Sequence, residues 1–197
     1  MTTRKYVTAD LHLGQGPGII KHRPQYRDYR DHDDDIIREI NRVVPPTSTL
    51  ILAGDIGIKE EGWERLQELQ CRNIIVVPGN HCGERAPIRL PDNIRIQGAY
   101  VTCLPTTRIA AVITHIQVHP QCLDRWHINI HGHLHDRVIV DDPRYYGVSL
   151  EQSKYSPVCL EDIASHYRYL ARWQKGPVDP RLQWPDWIID RAFKVPN

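Results

Sequence analysis

Four polar clusters in this chain have the residue types and spacing to do chemistry: Asp10-Leu11-His12, Gly54-Asp55, Gly79-Asn80-His81 and Gly132-His133-Leu134-His135. Six histidines crowd the stretch from His115 to His135. Carboxylate, amide-oxygen and imidazole donors in such a mixture hold divalent transition-metal ions. Each upstream cluster follows a short apolar run, at Tyr6 to Ala9, Leu50 to Ala53 and Ile74 to Val77. Ligands from distant parts of the chain can therefore gather at the ends of one sheet. A pair of cations held there would activate water and clamp the oxygens of a phosphate ester.

Spacing within the clusters carries a further expectation. Side chains alternate along a strand, so Asp10 and His12 on an extended segment point the same way and can bind one ion together. The same arithmetic applies to His133 and His135, unless a strained loop turns one of them toward a different ion. A carboxylate can bridge two metals, and Asn80 can complete a site without adding charge. Mixed Asp, His and Asn ligation favours Mn, Fe, Zn, Co or Ni over calcium, and affinity order does not choose among them. Taken singly, each motif is weak, since Gly-Asp is an ordinary turn and Gly-Asn-His can merely cap a strand. The order of the set, and its shared position after apolar runs, carries the argument.

The elements that must position these clusters follow from periodicity. The strand Tyr6 to Ala9 leads into a glycine-rich loop, Gly14 to Gly18. Asp33, Asp34 and Asp35 open a helix whose apolar positions Ile36, Ile37, Ile40 and Val44 keep a helical period, and Pro45 and Pro46 stop it. A second helix over Glu60 to Gln70 carries Trp63, Leu66 and Leu69. Strand, helix, strand, helix, strand implies a parallel βαβαβ unit, in which ligands bind beyond the carboxyl ends of the strands. Further strands are predicted at Tyr100 to Cys103, Ala110 to Thr114, Ile128 to Ile130, Arg137 to Val140 and Tyr145 to Ser149, forming a second sheet packed on the first. Leu160, Ile163, Ala164, Tyr167, Leu170 and Ala171 mark a last amphipathic helix. The expected fold class is α/β, a sandwich of two packed sheets flanked by helices. The expected organisation is one domain over residues 1–175 and a Pro- and Trp-rich tail over 176–197, packed on that domain or on a partner.

Bulk properties narrow the function. The 197 residues suit one compact domain with a real core. Twenty-five Lys and Arg against 24 Asp and Glu leave no broad basic field, so nucleic acid is expected only as a locally held substrate. The five cysteines are scattered and form no C-x-x-C pair, which argues against a disulfide framework and a thiolate zinc site and fits a reducing cytosol. No signal peptide or membrane span is legible, so a soluble, cytoplasmic protein without membrane partners is expected. Gly14 to Gly18 has the wrong spacing for a dinucleotide loop, and Pro17 interrupts it. Lys21, His22, Arg23, Arg27 and Arg30 make a basic stretch diluted by Asp28 and Asp31 to Asp35, which reads as a solvated face. Trp173, Trp184 and Trp187 are expected to pack in cis.

As a set, the motifs resemble the calcineurin-like metallophosphoesterase family. Its pattern D-x-H, G-D, G-N-H-(D/E), lone His and G-H-x-H stands here as Asp10/His12, Gly54/Asp55, Gly79/Asn80/His81/Cys82, His115 and Gly132/His133/His135. The chain is also similar to a smaller bacterial and phage-type subgroup, through Asp10 to Gly14, Ile19-Ile20, Arg23-Pro24, Thr114-His115-Ile116, His119-Pro120, Val148 to Gln152 and Tyr155 to Val158. The resemblance implies two mixed sheets between helices and two divalent ions (Mn, Fe, Ni, Co or Zn). It implies that Asp10, His12, Asp55 and His135 hold one ion and that Asp55, Asn80, His115 and His133 hold the other, with Asp55 as bridge. His81 would act as the acid near the leaving group. The implied activity is hydrolysis of phosphodiester or phosphomonoester substrates by a metal-activated hydroxide. The alternatives are a catalytically weak metal-binding interaction scaffold, or a nuclease. Two departures stand out. Gln15 and Gly18 occupy places where the subgroup has His and Asn, and Cys82 replaces the acid that orients and charges the preceding His. A neutral thiol cannot stabilise imidazolium as a carboxylate does, although Glu84 offers a substitute.

Overall fold

The structure is a computed structural model, and it describes residues 3–82, 90–139 and 141–173. Three strands, β1 (Lys5–Thr8), β2 (Thr49–Ala53) and β3 (Asn73–Val77), run parallel and side by side. All five residues of β2 are buried, because both faces of this sheet are covered. That is why the run Leu50 to Ala53 is uninterruptedly apolar rather than alternating. β4 (Ile94–Ile96) adds in parallel at one edge, and β9 (Val158–Cys159) adds antiparallel at the other, giving the order β4-β3-β2-β1-β9.

The second sheet has the order β5-β6-β7-β8. Its strands are β5 (Tyr100–Cys103), β6 (Ala110–Thr114), β7 (Ile128–His131) and β8 (Tyr145–Gly147). The β5 pairing is antiparallel and the other two are parallel, so both sheets are mixed. Among the described residues, three α-helices complete the layers: α1 (Tyr29–Val43), α2 (Glu60–Glu64) and α3 (Leu160–Trp173).

Side-chain alternation divides the core in two. Tyr6, Leu50, Leu52, Ile74 and Val76 face α1 and Trp63, packing with Ile36, Ile37 and Ile40. Val7, Ile51, Ala53 and Ile75 face the other way, against Ala111, Ile113, Ile128 and Ile130 of the second sheet and Leu160, Ile163 and Tyr167 of α3. The first sheet is thus the middle layer, and its carboxyl ends open between the two cores.

Several expectations need correction. Helix α1 begins at Tyr29, before the acidic run, because the Asp28 carboxylate caps it by accepting from the Arg30 and Asp31 amides. The helix expected over Glu60 to Gln70 stops after Glu64 and tightens into a 3-10 turn at Arg65–Glu68. Trp63, Leu66 and Leu69 are all buried and recur every third residue, the repeat of a 3-10 rather than an α-helix. Arg137 to Ile139 form no strand; the Gln152 side-chain amide donates to the carbonyls of His135 and Arg137, where a ladder would otherwise run. Val140, Glu84 and the tail from 176 lie outside the described residues. Strands β4 and β9 are too short to show a sequence period. Among the described residues, no helix is long and apolar enough to cross a membrane.

Trp63 anchors α2 under the first sheet, 2% exposed, with its indole N–H donating to the Gly57 carbonyl at 3.1 Å. Trp63→Ala is expected to cost about 3–5 kcal/mol, read as a lower midpoint in urea unfolding. A loss under about 1 kcal/mol would mean the site collapses freely around the gap.

Candidate metal centre

Strands β1, β2 and β3 deliver Asp10, Asp55 and the Asn80-His81 pair beyond their carboxyl ends, while β6 ends before His115 and β7 runs into Gly132 and His133. Strand alternation does not aim these groups. Asp10 and His12 lie past the end of β1 with φ of 60° and 53°, and Asp55, His133 and His135 have φ of 50°, 71° and 52°. Among the described residues, five of the eight non-glycine positions with positive φ belong to the expected ligand set. Left-handed backbone costs such residues of order 1–3 kcal/mol each, so the surroundings must over-determine it. They do so through the backbone: Asp10, His12 and Leu13 donate their amides to the carbonyls of Gly54, Asp55 and Ile56 at 3.0, 2.9 and 2.8 Å. The first motif is thereby laid alongside the second.

Glycine permits the remaining approaches. A Cβ on Gly54, whose φ is 92°, would stand 2.2 Å from His115 Nδ1, and one on Gly79 would stand 2.2 Å from Asp55 Oδ1. Each glycine makes room for a functional side chain of a different motif.

The result is a close cluster. His115 Nε2 lies 2.9 Å from Asn80 Oδ1 and 3.3 Å from Asp55 Oδ2. His12 Nε2 lies 3.9 Å from the same Asp55 oxygen, and His135 Nε2 lies 3.8 Å from Asp10 Oδ1. The rings of His12 and His135 stack at 5.2 Å, and His133 meets the edge of His115 at 5.1 Å. The His133 amide donates to the Asp10 carboxylate, at 3.0 Å to Oδ2. Two groups bring their ligand atoms within 4.8 Å of one another: Asp10, His12 and His135, and Asp10, Asp55 and His115. Asp10 is common to both groups, while Asp55 Oδ2 faces both His12 and His115. The His133 ring belongs to neither group and flanks the second. His81 is exposed beside His12, ring to ring 5.7 Å, and its amide donates to Asp55 Oδ1 at 2.8 Å.

Electrostatics set the character of these groups. Burial, reinforced by the nearby Arg23 charge, pushes His12 down to about 3, so its imidazole is neutral. Burial pushes Asp10 up, outweighing the opposing charges of His135 and His115. Burial acts on Asp55 in the same direction, but the hydrogen bond and charge of His115 outweigh it and hold the carboxyl below its usual range. His115 is raised in turn, Asp55 outweighing burial. Burial lowers His133.

One observation tests whether a cation fits. Both ring nitrogens of His12 are buried with no hydrogen-bond partner among the described residues. An unsatisfied buried polar group of this kind costs about 1–3 kcal/mol, and a metal ion held by one ring nitrogen would lift the penalty at that atom. The donors are two carboxylates, an amide oxygen and imidazoles, without a thiolate, which suits a pair of first-row divalent ions. Cys82 does not join them: its sulfur is buried in the core and accepts from the Ile56 amide at 3.5 Å, and burial pushes the thiol up. It brings no charge to His81.

Two residues bear on the site that sequence reasoning left without a role. Arg23, expected on a solvated face, is wholly buried and donates to the Asp10 carbonyl at 2.6 Å and to Glu151 at 2.9 Å. Glu151 also meets His135 Nδ1 at 3.1 Å. The available signal was their presence in the subgroup-like runs Arg23-Pro24 and Val148 to Gln152. His119 serves locally, accepting from the Gln121 amide to cap the turn Pro120–Asp124.

The family profile for calcineurin-like phosphoesterases matches residues 3–189. The chain belongs to this family. Among solved structures, a protein of unknown function from Aquifex aeolicus, AQ665, has a similar fold at a TM-score of 0.61 and 19% identity, covering 84% of this chain and 100% of its own. An archaeal phosphodiesterase aligns at 0.43 and 19% identity, over 75% of this chain and 82% of its own. The nuclease MPE of Pseudomonas putida aligns at 0.41 and 18% identity, over 66% and 61%. No curated protein matches the sequence of this family member.

Two outcomes follow. Gly54→Ala is expected to displace His115, lowering stability by about 1–3 kcal/mol and reducing bound metal, checked by thermal melting and elemental analysis of the same samples. Glu151 is held down to about 2, against burial, by the His135 hydrogen bond and the Arg23 charge, below its ordinary 4.5. A depressed carboxyl contributes stability above its unfolded value and loses it as pH falls through the folded one. Glu151→Gln is therefore expected to shed less stability than wild type between pH 4.5 and 2, followed by denaturant titrations across that window; parallel curves would contradict it.

Proposed function

We propose that this chain is a dinuclear metal-dependent phosphoesterase that hydrolyses phosphodiester or phosphomonoester bonds. The observation that carries the reading is the buried, neutral His12, with both nitrogens unpartnered among the described residues, set beside the Asp10 and Asp55 carboxylates at the floor of a cleft. Two divalent ions, when bound, supply the Lewis acidity that lowers the pKa of water toward neutrality and neutralise phosphoryl oxygens. Asp10, His12, Asp55 and His135 are assigned to one ion, and Asp55, Asn80, His115 and His133 to the other.

The remaining residues bind and move protons. A cavity of about 530 Å³ opens over the cluster, walled by His12, His81 and His135 and continued by Gln15, Ile19 and Leu134. Its mixed lining suits a small organic group esterified to phosphate, and Gln15 offers that group an amide. His81, exposed at this wall, is assigned as the acid that protonates the departing oxygen. The chain retains every donor of the family pattern, which favours an enzyme over a scaffold, and its balanced charge disfavours a nuclease that grips long nucleic acid.

The deciding experiment strips the protein of metal, reloads it with Mn, Ni or Zn, and offers bis-p-nitrophenyl phosphate, p-nitrophenyl phosphate and a cyclic nucleotide. Metal-dependent turnover of at least one ester is expected; none with any metal would refute the assignment. Asp55→Asn should weaken both ions together. His81→Ala should slow esters with basic alkoxide leaving groups by about 10²–10⁴ and nitrophenyl esters far less. Equal losses on both classes would remove His81 from the acid role.

A further inference from the structure

Arg23 comes from a short segment before α1, yet its side chain is fully buried and every guanidinium nitrogen has a partner. Nε donates to Glu151 Oε1 at 2.9 Å, and Nη2 reaches the same oxygen at 2.9 Å. Nη2 also donates to the Asp10 carbonyl at 2.6 Å, and Nη1 donates to the Leu11 carbonyl at 3.1 Å. Nη1 meets His32 Nε2 at 2.7 Å. Arginine can only donate, so His32 Nε2 is an acceptor and its proton sits on Nδ1. That Nδ1–H donates to Asp33 Oδ1 at 2.7 Å, and Asp33 Oδ2 accepts from the Gly14 amide at 2.8 Å. The Tyr155 ring lies against the guanidinium, 5.6 Å from its centroid. A buried cation with this many directed partners is a fixed point, because leaving any of them unpaired would be costly.

Two of those partners are the carbonyls of Asp10 and Leu11, inside the loop whose left-handed turns aim Asp10 and His12. A third, Glu151, fixes another ligand: its Oε1 receives the Nδ1–H of His135, which leaves Nε2 turned toward Asp10. One ion pair thus grips all three members of the Asp10, His12 and His135 group, two through their loop and one through its ring. The other half is held differently. His115 Nδ1 bonds to the Ala53 carbonyl at 2.9 Å, a main-chain support that involves neither Arg23 nor Glu151.

We propose that Arg23 and Glu151 are positioning residues for one metal of the pair, the ion assigned to Asp10, His12 and His135, and that the two ions are consequently separable. The inference rests on the dinuclear reading above. Outer contacts that orient metal-binding histidines typically change affinity by about 10–100-fold when removed. Here that loss falls on the ion assigned to Asp10, His12 and His135; Asp10 is common to both candidate groups, but its carboxylate is held separately by the His133 amide. Lysine cannot replace the arginine, since a single ammonium cannot serve Glu151, two carbonyls and His32 at once.

The test is calorimetric titration of metal-stripped wild type, Arg23→Lys, Glu151→Gln and Glu151→Ala with Mn²⁺ alone, alongside metal content after dialysis and circular dichroism to verify folding. Wild type should show two binding events. In Glu151→Ala and Arg23→Lys one event should weaken by about 10–100-fold while the other keeps its affinity. Glu151→Gln, whose amide oxygen can still accept from His135, should fall between. If Glu151→Ala fails to fold, Arg23→Lys and Glu151→Gln carry the same comparison. Equal weakening of both events, or of neither, in folded variants would overturn the positioning role while leaving the dinuclear site intact. A stoichiometry of one ion per chain in wild type would instead remove the dinuclear reading, and two ions bound in one unresolved event would remove this inference alone.

Discussion

Two carboxylates and a neutral imidazole are buried together at the carboxyl ends of a parallel sheet, and this electrostatic constraint organises everything around it. Asp10 and Asp55 are almost without solvent, so their charge must be answered by protein groups or by cations. His115 answers Asp55, and the His133 amide answers Asp10. His12 hydrogen-bonds to neither, and both its nitrogens are buried without a partner among the described residues. The chain has assembled more donor capacity than its own hydrogen bonds consume, which is the condition of a metal site rather than of a polar core.

Holding that arrangement requires backbone that most residues avoid. Five candidate ligand positions are left-handed, and the loops that carry them are tied to one another. The Asp10 to Leu13 segment bonds to Gly54, Asp55 and Ile56, so the first motif lies alongside the second. The Gly132 to His135 segment is tied in through the Asp10 carboxylate and through Glu151. The cluster is therefore built by cross-links between loops of distant sequence, on a platform of buried strands that supplies none of the candidate donors.

Much of this was legible from residues alone. The apolar runs before Asp55 and Asn80 are continuous because both faces of the middle sheet are buried, and that continuity is a sequence-level signal. The amphipathic pattern of α1 and the strands at 100–103 and 110–114 were equally readable. What failed did so for local reasons: Arg137 to Ile139 read as a strand but lie beside a left-handed His135 and a glutamine that takes the carbonyls. Arg23 looked like part of a diluted basic face, because charge counting cannot see that one member of a run turns inward.

The sequence by itself determined the donor inventory, its order along the chain, and the parallel unit that brings three clusters to one edge, because these depend only on residue type and hydrophobic period. The tertiary structure alone decided how the donors are aimed. Asp10 and His12 converge through left-handed turns and not through strand alternation, Asp10 is shared between two ligand groups, and Cys82 turns away into the core. Aim is a property of contacts between segments far apart in the chain, such as Arg23 with Glu151, and no local pattern encodes which buried charge will find which partner.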